Sequence, residues 1–157
     1  MRDCINKHIA ESIEVKSSIL NSEILISAIE KTANIIVEAY KNNGKVLIAG
    51  NGGSASDAQH IATEFVSKFY IDRNPLKALA LTTNTSILTA IGNDYGQEYI
   101  FARQIQAYGN KNDVYVSIST SGNSKNIIKS IAVRHPRQRQ LPAHADLCGG
   151  NDRFVLR

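Results

Sequence analysis

Residues 45–69 read KVLIAGNGGSASDAQHIATEFVSKF. Val46 to Ala49 are continuously apolar between Gly44 and Gly50, the pattern of a strand buried on both faces. Beyond the glycines, Ala58, Ile61, Ala62, Phe65 and Phe69 recur at three- and four-residue spacing, which predicts a helix over 55–69. A buried strand passing through a glycine loop into an amphipathic helix is half of a parallel β-α-β unit.

The rest of the chain extends that unit. The short apolar runs at 78–81 and 114–118 read as further strands, and 86–91, 99–108 and 124–131 as helices. Upstream, Ile5, Ile9, Ile13, Ile19 and Leu20 mark one amphipathic helix. Asn21-Ser22 breaks it, and Leu25, Ile29, Ala33, Ile36 and Tyr40 mark a second that ends at Asn43-Gly44. Alternating strands and helices give an α/β fold with a parallel sheet. The first two helices form an N-terminal helical hairpin able to pack on a sheet or on another subunit. No internal repeat or linker is visible, so the body counts as one domain.

Composition narrows the function classes. With 157 residues, 43% hydrophobic and 20% charged, the chain has the make-up of a globular protein rather than a disordered one. No apolar run reaches the ~20 residues of a membrane span. The N-terminus lacks the apolar stretch of a signal peptide. Cys4 and Cys148 form no disulfide framework and show no metal-site spacing. A cytoplasmic location is therefore expected. The net charge of +4 is uneven: residues 1–131 hold 13 Lys+Arg against 12 Asp+Glu, and 132–157 hold 5 against 2. A basic-protein reading would concern the tail alone.

Three segments after strands carry candidate chemistry, because loops at the carboxyl ends of parallel strands form the ligand crevice. In Gly50-Asn51-Gly52-Gly53-Ser54-Ala55-Ser56 the glycines let the backbone approach a ligand, and the next helix offers free amides to an anion. Ser54 and Asp57 also fit a capping box. The segment is neither a Walker A loop nor a complete GxGxxG. Ser119-Thr120-Ser121-Gly122-Asn123-Ser124 places four hydroxyls at a strand-to-helix junction, enough to ring a phosphate without lysine, although Ser124 alone would serve as a plain N-cap. Gly92-Asn93-Asp94-Tyr95-Gly96 is a turn-rich segment that could bind sugar hydroxyls. His60 and Glu64, four apart, share a helix face. They could share a divalent ion, or Glu64 could act as a general base, or the two could be a solvent-facing pair.

The stretches GNGGSASDAQHIATEF, LTTNTSILTAIGNDYG and STSGNSKNIIK, in that order, resemble the sugar isomerase (SIS) domain family, and within it the phosphoheptose isomerases. The resemblance covers residues 1–131. It implies a flavodoxin-like parallel sheet of about five strands flanked by helices. It implies a cytoplasmic homotetramer that converts sedoheptulose 7-phosphate to a heptose 7-phosphate through an enediol, for the lipopolysaccharide core or capsule. Position by position, Asn51, Gly52 and Gly53 would line the substrate, and Asn93 and Asp94 would bind its sugar end. Ser119, Thr120, Ser121 and Ser124 would hold the phosphate. His60 and Glu64 match two of the family's zinc ligands, one zinc per subunit, and Glu64 matches its catalytic base.

The resemblance stops near Ile131, before the long helix whose Gln and His complete the family's zinc site. From Ala132 the chain uses five Arg and no Lys and gains Pro136 and Pro142, after ten Lys and three Arg up to Ile131. Residues 132–157 therefore read as a compositionally foreign basic tail on an incomplete domain, its C-terminal part truncated or replaced. A changed reading frame, a disordered partner-binding tail and an irregular folded segment are the three readings of it. His135, Gln138, Gln140 and His144 stand in unrelated surroundings and receive no role. Three strands where about five are expected would leave core-facing surface uncovered, so these 157 residues are expected to turn over little substrate. The rival function is a non-catalytic SIS-domain regulator or replication-initiator-associating protein, against which the pairing of His60 with Glu64 speaks. Nucleic-acid binding through the tail ranks last, and no membrane partner is expected.

Overall fold

The computed structural model describes residues 1–133 and the backbone of two strands, Ala145–Leu147 and Arg153–Leu156. The chain divides into two compact units, Met1–Asn34 and Ile35–Arg157. The first unit holds α1 (Arg2–Leu20) and the beginning of α2 (Glu23–Lys41), both where the periodicity placed them. Between them, the Ser22 hydroxyl accepts a hydrogen bond from the Leu25 amide. No residue of α1 is buried, and its apolar stripe, Ile5, Ile9, Ile13 and Leu20, is open to solvent.

The second unit carries the sheet. Its elements are β1 (Val46–Gly50), α3 (Gly53–Val66), β2 (Ala78–Ala80), α4 (Thr85–Tyr95), a 3-10 turn (Gln97–Tyr99), α5 (Ala102–Tyr108), β3 (Val114–Ser119) and α6 (Lys125–Ile131). β4 (Ala145–Leu147) and β5 (Arg153–Leu156) complete a sheet ordered β2-β1-β3-β5-β4. The first three strands are parallel, with Val46 opposite both Ala78 and Val114, and Gly50 opposite Ile118.

Every residue of β1 is buried because both faces of the strand are covered. Val46 and Ile48 pack with Ala58, Ala62, Ala80 and Ile118, backed by Ile36, Tyr40 and Phe65. Leu47 and Ala49 turn the other way, to Leu81, Phe101, Tyr115 and Ile127, backed by Leu88 and Ile105. The alternation of one continuous apolar run thus supplies two cores. The small residues Ala58 and Ala62 let α3 lie close on the sheet. Gly50 is needed for the same reason, since a Cβ there would stand 2.4 Å from the Ser54 carbonyl oxygen.

Several boundaries differ from expectation, each for a local reason. α3 stops at Val66 because the Arg73 guanidinium donates to the carbonyls of Glu64 at 2.7 Å and Phe65 at 2.8 Å. Phe69, expected on the buried stripe, is 63% exposed. α4 is capped by the Asn84 side chain, which accepts from the Ile87 amide, and continues through Gly92–Tyr95. The turn expected there is confined to Gly96, at φ +98°. The helix expected over 99–108 is broken by buried Ile100 and Phe101 into the 3-10 turn and α5. Ser54 lies inside α3, whose N-cap is Gly52, so the Ser54–Asp57 capping box is not made.

The tail, which shows no strand period in sequence, contributes β4 and β5. β5 runs antiparallel to β3, with Val116 opposite Leu156, so the sheet is mixed where a wholly parallel one was expected. An open edge of β3 presents unpaired amides and carbonyls that any extended segment can satisfy. His135, Gln138, Gln140, His144 and Cys148 lie outside the described residues. Among the described residues, no helix is long and apolar enough to cross a membrane.

Candidate active site

The strand order places a crevice. From β1 the chain moves to β2 on one side and then crosses to β3 on the other, so the loops leaving β1 and β3 diverge from adjacent strands. Such a reversal point, at the carboxyl ends of the strands, is where open α/β sheets bind ligands. The two segments singled out from the sequence, 50–56 and 119–124, supply those loops, the first running on into the start of α3.

In the first loop Gly52 has φ +55°, a conformation that side-chain-bearing residues rarely adopt. A Cβ on Gly52 or Gly53 would find no atom within 4 Å. The backbone is therefore bare toward open space at the point where α3 begins, and the positive end of the helix faces that space. The loop is closed by the Ser54 amide on the Asn51 carbonyl and the Ala55 amide on the Gly52 carbonyl, both at 3.0 Å.

The second loop is tied by its own hydroxyls. Buried Ser119 accepts from the Gly122 amide at 3.2 Å, and Ser121 accepts from the Asn123 amide at 3.2 Å. The hydroxyls of Ser119 and Ser124 lie 3.4 Å apart. Gly122, at φ +65°, makes the turn. Ser124 is the N-cap residue of α6 without a side-chain capping bond, so its hydroxyl is not consumed as a plain cap. Below the loop, the Tyr115 hydroxyl meets Ser130 at 2.7 Å and fastens α6 to β3; burial pushes this phenol's pKa up.

A residue not singled out from the sequence joins the two loops. Asn51 donates to the Asn126 side-chain oxygen at 2.9 Å, and Asn126 donates back to Asn51 at 2.8 Å. The Asn126 oxygen also accepts from the Ile127 amide. This reciprocal amide pair ties the glycine loop to the first turn of α6, into which the second loop leads. Its partners stand 75 positions apart, so no local spacing could have announced it.

His60 and Glu64 come together on α3, Nε2 to Oε1 at 3.3 Å, with the His60 side chain 76% exposed and that of Glu64 32% exposed. Two ligands of one tetrahedral zinc, each about 2.0–2.2 Å from the metal, stand roughly 3.3 Å apart, so the pair fits two corners of such a site. Among the described residues no group of three or more His, Cys, Asp or Glu could complete it. Asn93 and Asp94 are exposed on the last turn of α4 and hydrogen-bonded to each other at 2.9 Å. No hydrogen bond joins them to either loop.

Residues 8–142 match the SIS domain family. The chain is 60% identical over 131 residues, 83% of its own length and 66% of the relative's, to the phosphoheptose isomerase of Aneurinibacillus thermoaerophilus. It is 61% identical over 127 residues, 81% of its length and 63% of the relative's, to phosphoheptose isomerase 2 of Campylobacter jejuni. To the phosphoheptose isomerase of Neisseria meningitidis it is 41% identical over all 157 residues and 79% of that protein. Among solved structures it resembles phosphoheptose isomerase GmhA from Neisseria gonorrhoeae, with a TM-score of 0.75, 45% identity, and coverage of 83% of this chain and 66% of that one. The chain thus spans about two thirds of the length of several relatives it matches.

Proposed function

We propose that this chain, which belongs to the SIS domain family and within it to the phosphoheptose isomerases, binds sedoheptulose 7-phosphate between its β1 and β3 loops for isomerisation to a heptose 7-phosphate. One observation carries the reading: a hydroxyl-rich loop and a bare glycine loop leave adjacent strands, and the Asn51–Asn126 pair ties the glycine loop to the helix that follows the hydroxyl loop. Ser119, Thr120, Ser121 and Ser124 hold the phosphate with neutral donors, helped by the field at the start of α3. Asn51, Gly52 and Gly53 line the sugar, and Asn93 and Asp94 receive its far end.

In the reaction the Glu64 carboxylate removes the proton from the carbon beside the ketone. The electron pair forms the enediol, and the proton returns to the former carbonyl carbon while a hydroxyl proton moves between the two oxygens. Each step exchanges one C–H and one O–H, so no redox partner is required. His60 and Glu64 are the residues that would hold zinc, which supplies Lewis-acid polarisation of a substrate oxygen. The names of the relatives support the isomerase reading over a purely regulatory one. A cytoplasmic homotetramer serving lipopolysaccharide or capsule synthesis is the setting we propose, and the exposed isoleucine stripe of α1 supports assembly. The domain division we propose is an incomplete SIS domain over 1–131 with a foreign tail over 132–157.

Calorimetry with sedoheptulose 7-phosphate, paired with a turnover assay, tests the proposal. The 157-residue chain is expected to bind saturably and turn over slowly. Ser121→Ala with Ser124→Ala should weaken binding about tenfold, and Glu64→Gln should leave binding in place. Absence of saturable binding would refute the site. Turnover at the rate of the full-length relatives would refute the incomplete-domain reading.

A further inference from the structure

At the opposite end of the same strands, the loops entering β1, β2 and β3 enclose a cleft of about 490 Å³, within the size range of small-molecule sites. Lys45, Lys77, Lys111, Asn43, Asn112 and Asp113 are among its lining residues. β1 is five residues long, so roughly 16 Å of strand separates this cleft from the glycine loop.

The charges within it do not cancel. Asp113, whose side chain is 6% exposed, is fully engaged by the Lys45 ammonium, the Lys45 amide and the Asn110 amide. That leaves two ammonium groups. Lys77 donates only to the neutral Asn43 side-chain oxygen, at 2.6 Å, and Lys111 makes no hydrogen bond or ion pair with any described residue. The walls are braced: Asn112 donates to the Asn42 carbonyl at 2.9 Å, and a Cβ on Gly44 would stand 2.2 Å from the Asn112 carbonyl oxygen. An opposing field comes from α2 and α5, both of which end here. Part of each last turn is capped by the chain itself: the Glu38, Ala39 and Tyr40 carbonyls accept from the Asn42, Gly44 and Asn43 amides, and the Ile105 carbonyl from the Gly109 amide. The helix-end field also fades within one turn, whereas the two lysines carry whole charges.

We propose that this cleft is a second anion site, for the dianionic phosphoryl group of a small phosphorylated metabolite or of free phosphate. The cleft holds two cations paired with no carboxylate among the described residues, and side-chain amides in a braced wall, the donor set such a group requires. It is separate from the site between the β1 and β3 loops and does not rest on the isomerase reading.

The test is an amide-resolved NMR titration of the whole chain at about pH 8, where both the free phosphate and its ester are largely dianionic. The probes are inorganic phosphate and glycerol 3-phosphate, with sodium chloride at matched ionic strength as control. The expected result is a saturable shift of the Lys111 and Asn112 backbone amides with phosphate or its ester and not with chloride. The probe that saturates first identifies free or esterified phosphate as the source. Lys77→Gln with Lys111→Gln, both at exposed positions, should weaken the midpoint about tenfold. Shifts that grow linearly, that chloride reproduces, or whose midpoint the double substitution leaves unchanged would overturn the proposal.

Discussion

The crevice depends on two single residues that share no property except location. Gly52 is held at φ +55° with nothing near its missing Cβ. Alanine there meets no steric neighbour, so its whole cost is backbone strain, about 1–2 kcal/mol. Gly52→Ala should lower the unfolding free energy by that amount, read in urea as a lower midpoint with an unchanged slope; a neutral result would mean the loop relaxes freely. Asn126 acts by contrast through a partner. Removing it by Asn126→Ala leaves Asn51 without either bond, and because both side chains reach solvent the expected loss of stability is small, about 0.5–1 kcal/mol. The larger effect should fall on affinity for the proposed substrate, sedoheptulose 7-phosphate, since the pair ties the glycine loop to α6. In a double-mutant cycle of that affinity, Asn51→Ala and Asn126→Ala should be non-additive by about 1 kcal/mol or more. Strict additivity would show that the two side chains act separately.

Among the elements, β1 and its helix were legible from sequence because a continuous apolar run and a 3.6-residue period are local signals. Those signals do not say where a helix stops. α3 ends at Val66 through an arginine seven residues downstream, and the 99–108 segment breaks because Ile100 and Phe101 must enter a core built by other strands. The glycine and hydroxyl loops were found from residue type, whereas Asn126 became visible only once β1 and β3 were neighbours. The same dependence on tertiary context governs Tyr40 near the end of α2. Its hydroxyl donates to the Lys77 carbonyl at 3.1 Å, its ring packs on Phe65, and burial pushes its pKa up to about 12 despite the opposing pull of the Arg73 charge. A phenol harder to ionise in the fold than in the unfolded chain stabilises fully below pH 10 and loses that contribution as pH climbs toward 12. Tyr40→Phe should therefore cost about 1 kcal/mol at neutral pH and flatten the fall in stability between pH 10 and 12. An alkaline limb as steep as the parent's would assign the loss to other groups, buried Tyr115 first.

At the scale of the whole molecule the contrast is between a central strand, β1, buried on both faces and a first helix none of whose residues is buried. α1 runs for 19 residues with Ile5, Ile9 and Ile13 each more than half exposed, along one face at four-residue spacing. A helix of that length gains little from propensity alone and is held in proteins by burying an apolar stripe. Among the described residues α1 buries no such stripe, so a second copy is the natural cover, in keeping with the tetramer proposed above. Ile9→Asp with Ile13→Asp places two charges in the centre of the stripe. If copies pack there, sedimentation should shift from an oligomer to the 17.2 kDa chain, while the unfolding of the sheet, whose two cores do not include these side chains, changes little. If the parent chain already sediments as a monomer, or the double variant keeps its oligomeric state, the stripe is not the assembly surface. Because isoleucines 9 and 13 contribute to neither core, a fall in substrate affinity in the monomeric variant would further show that subunits complete one another's crevice.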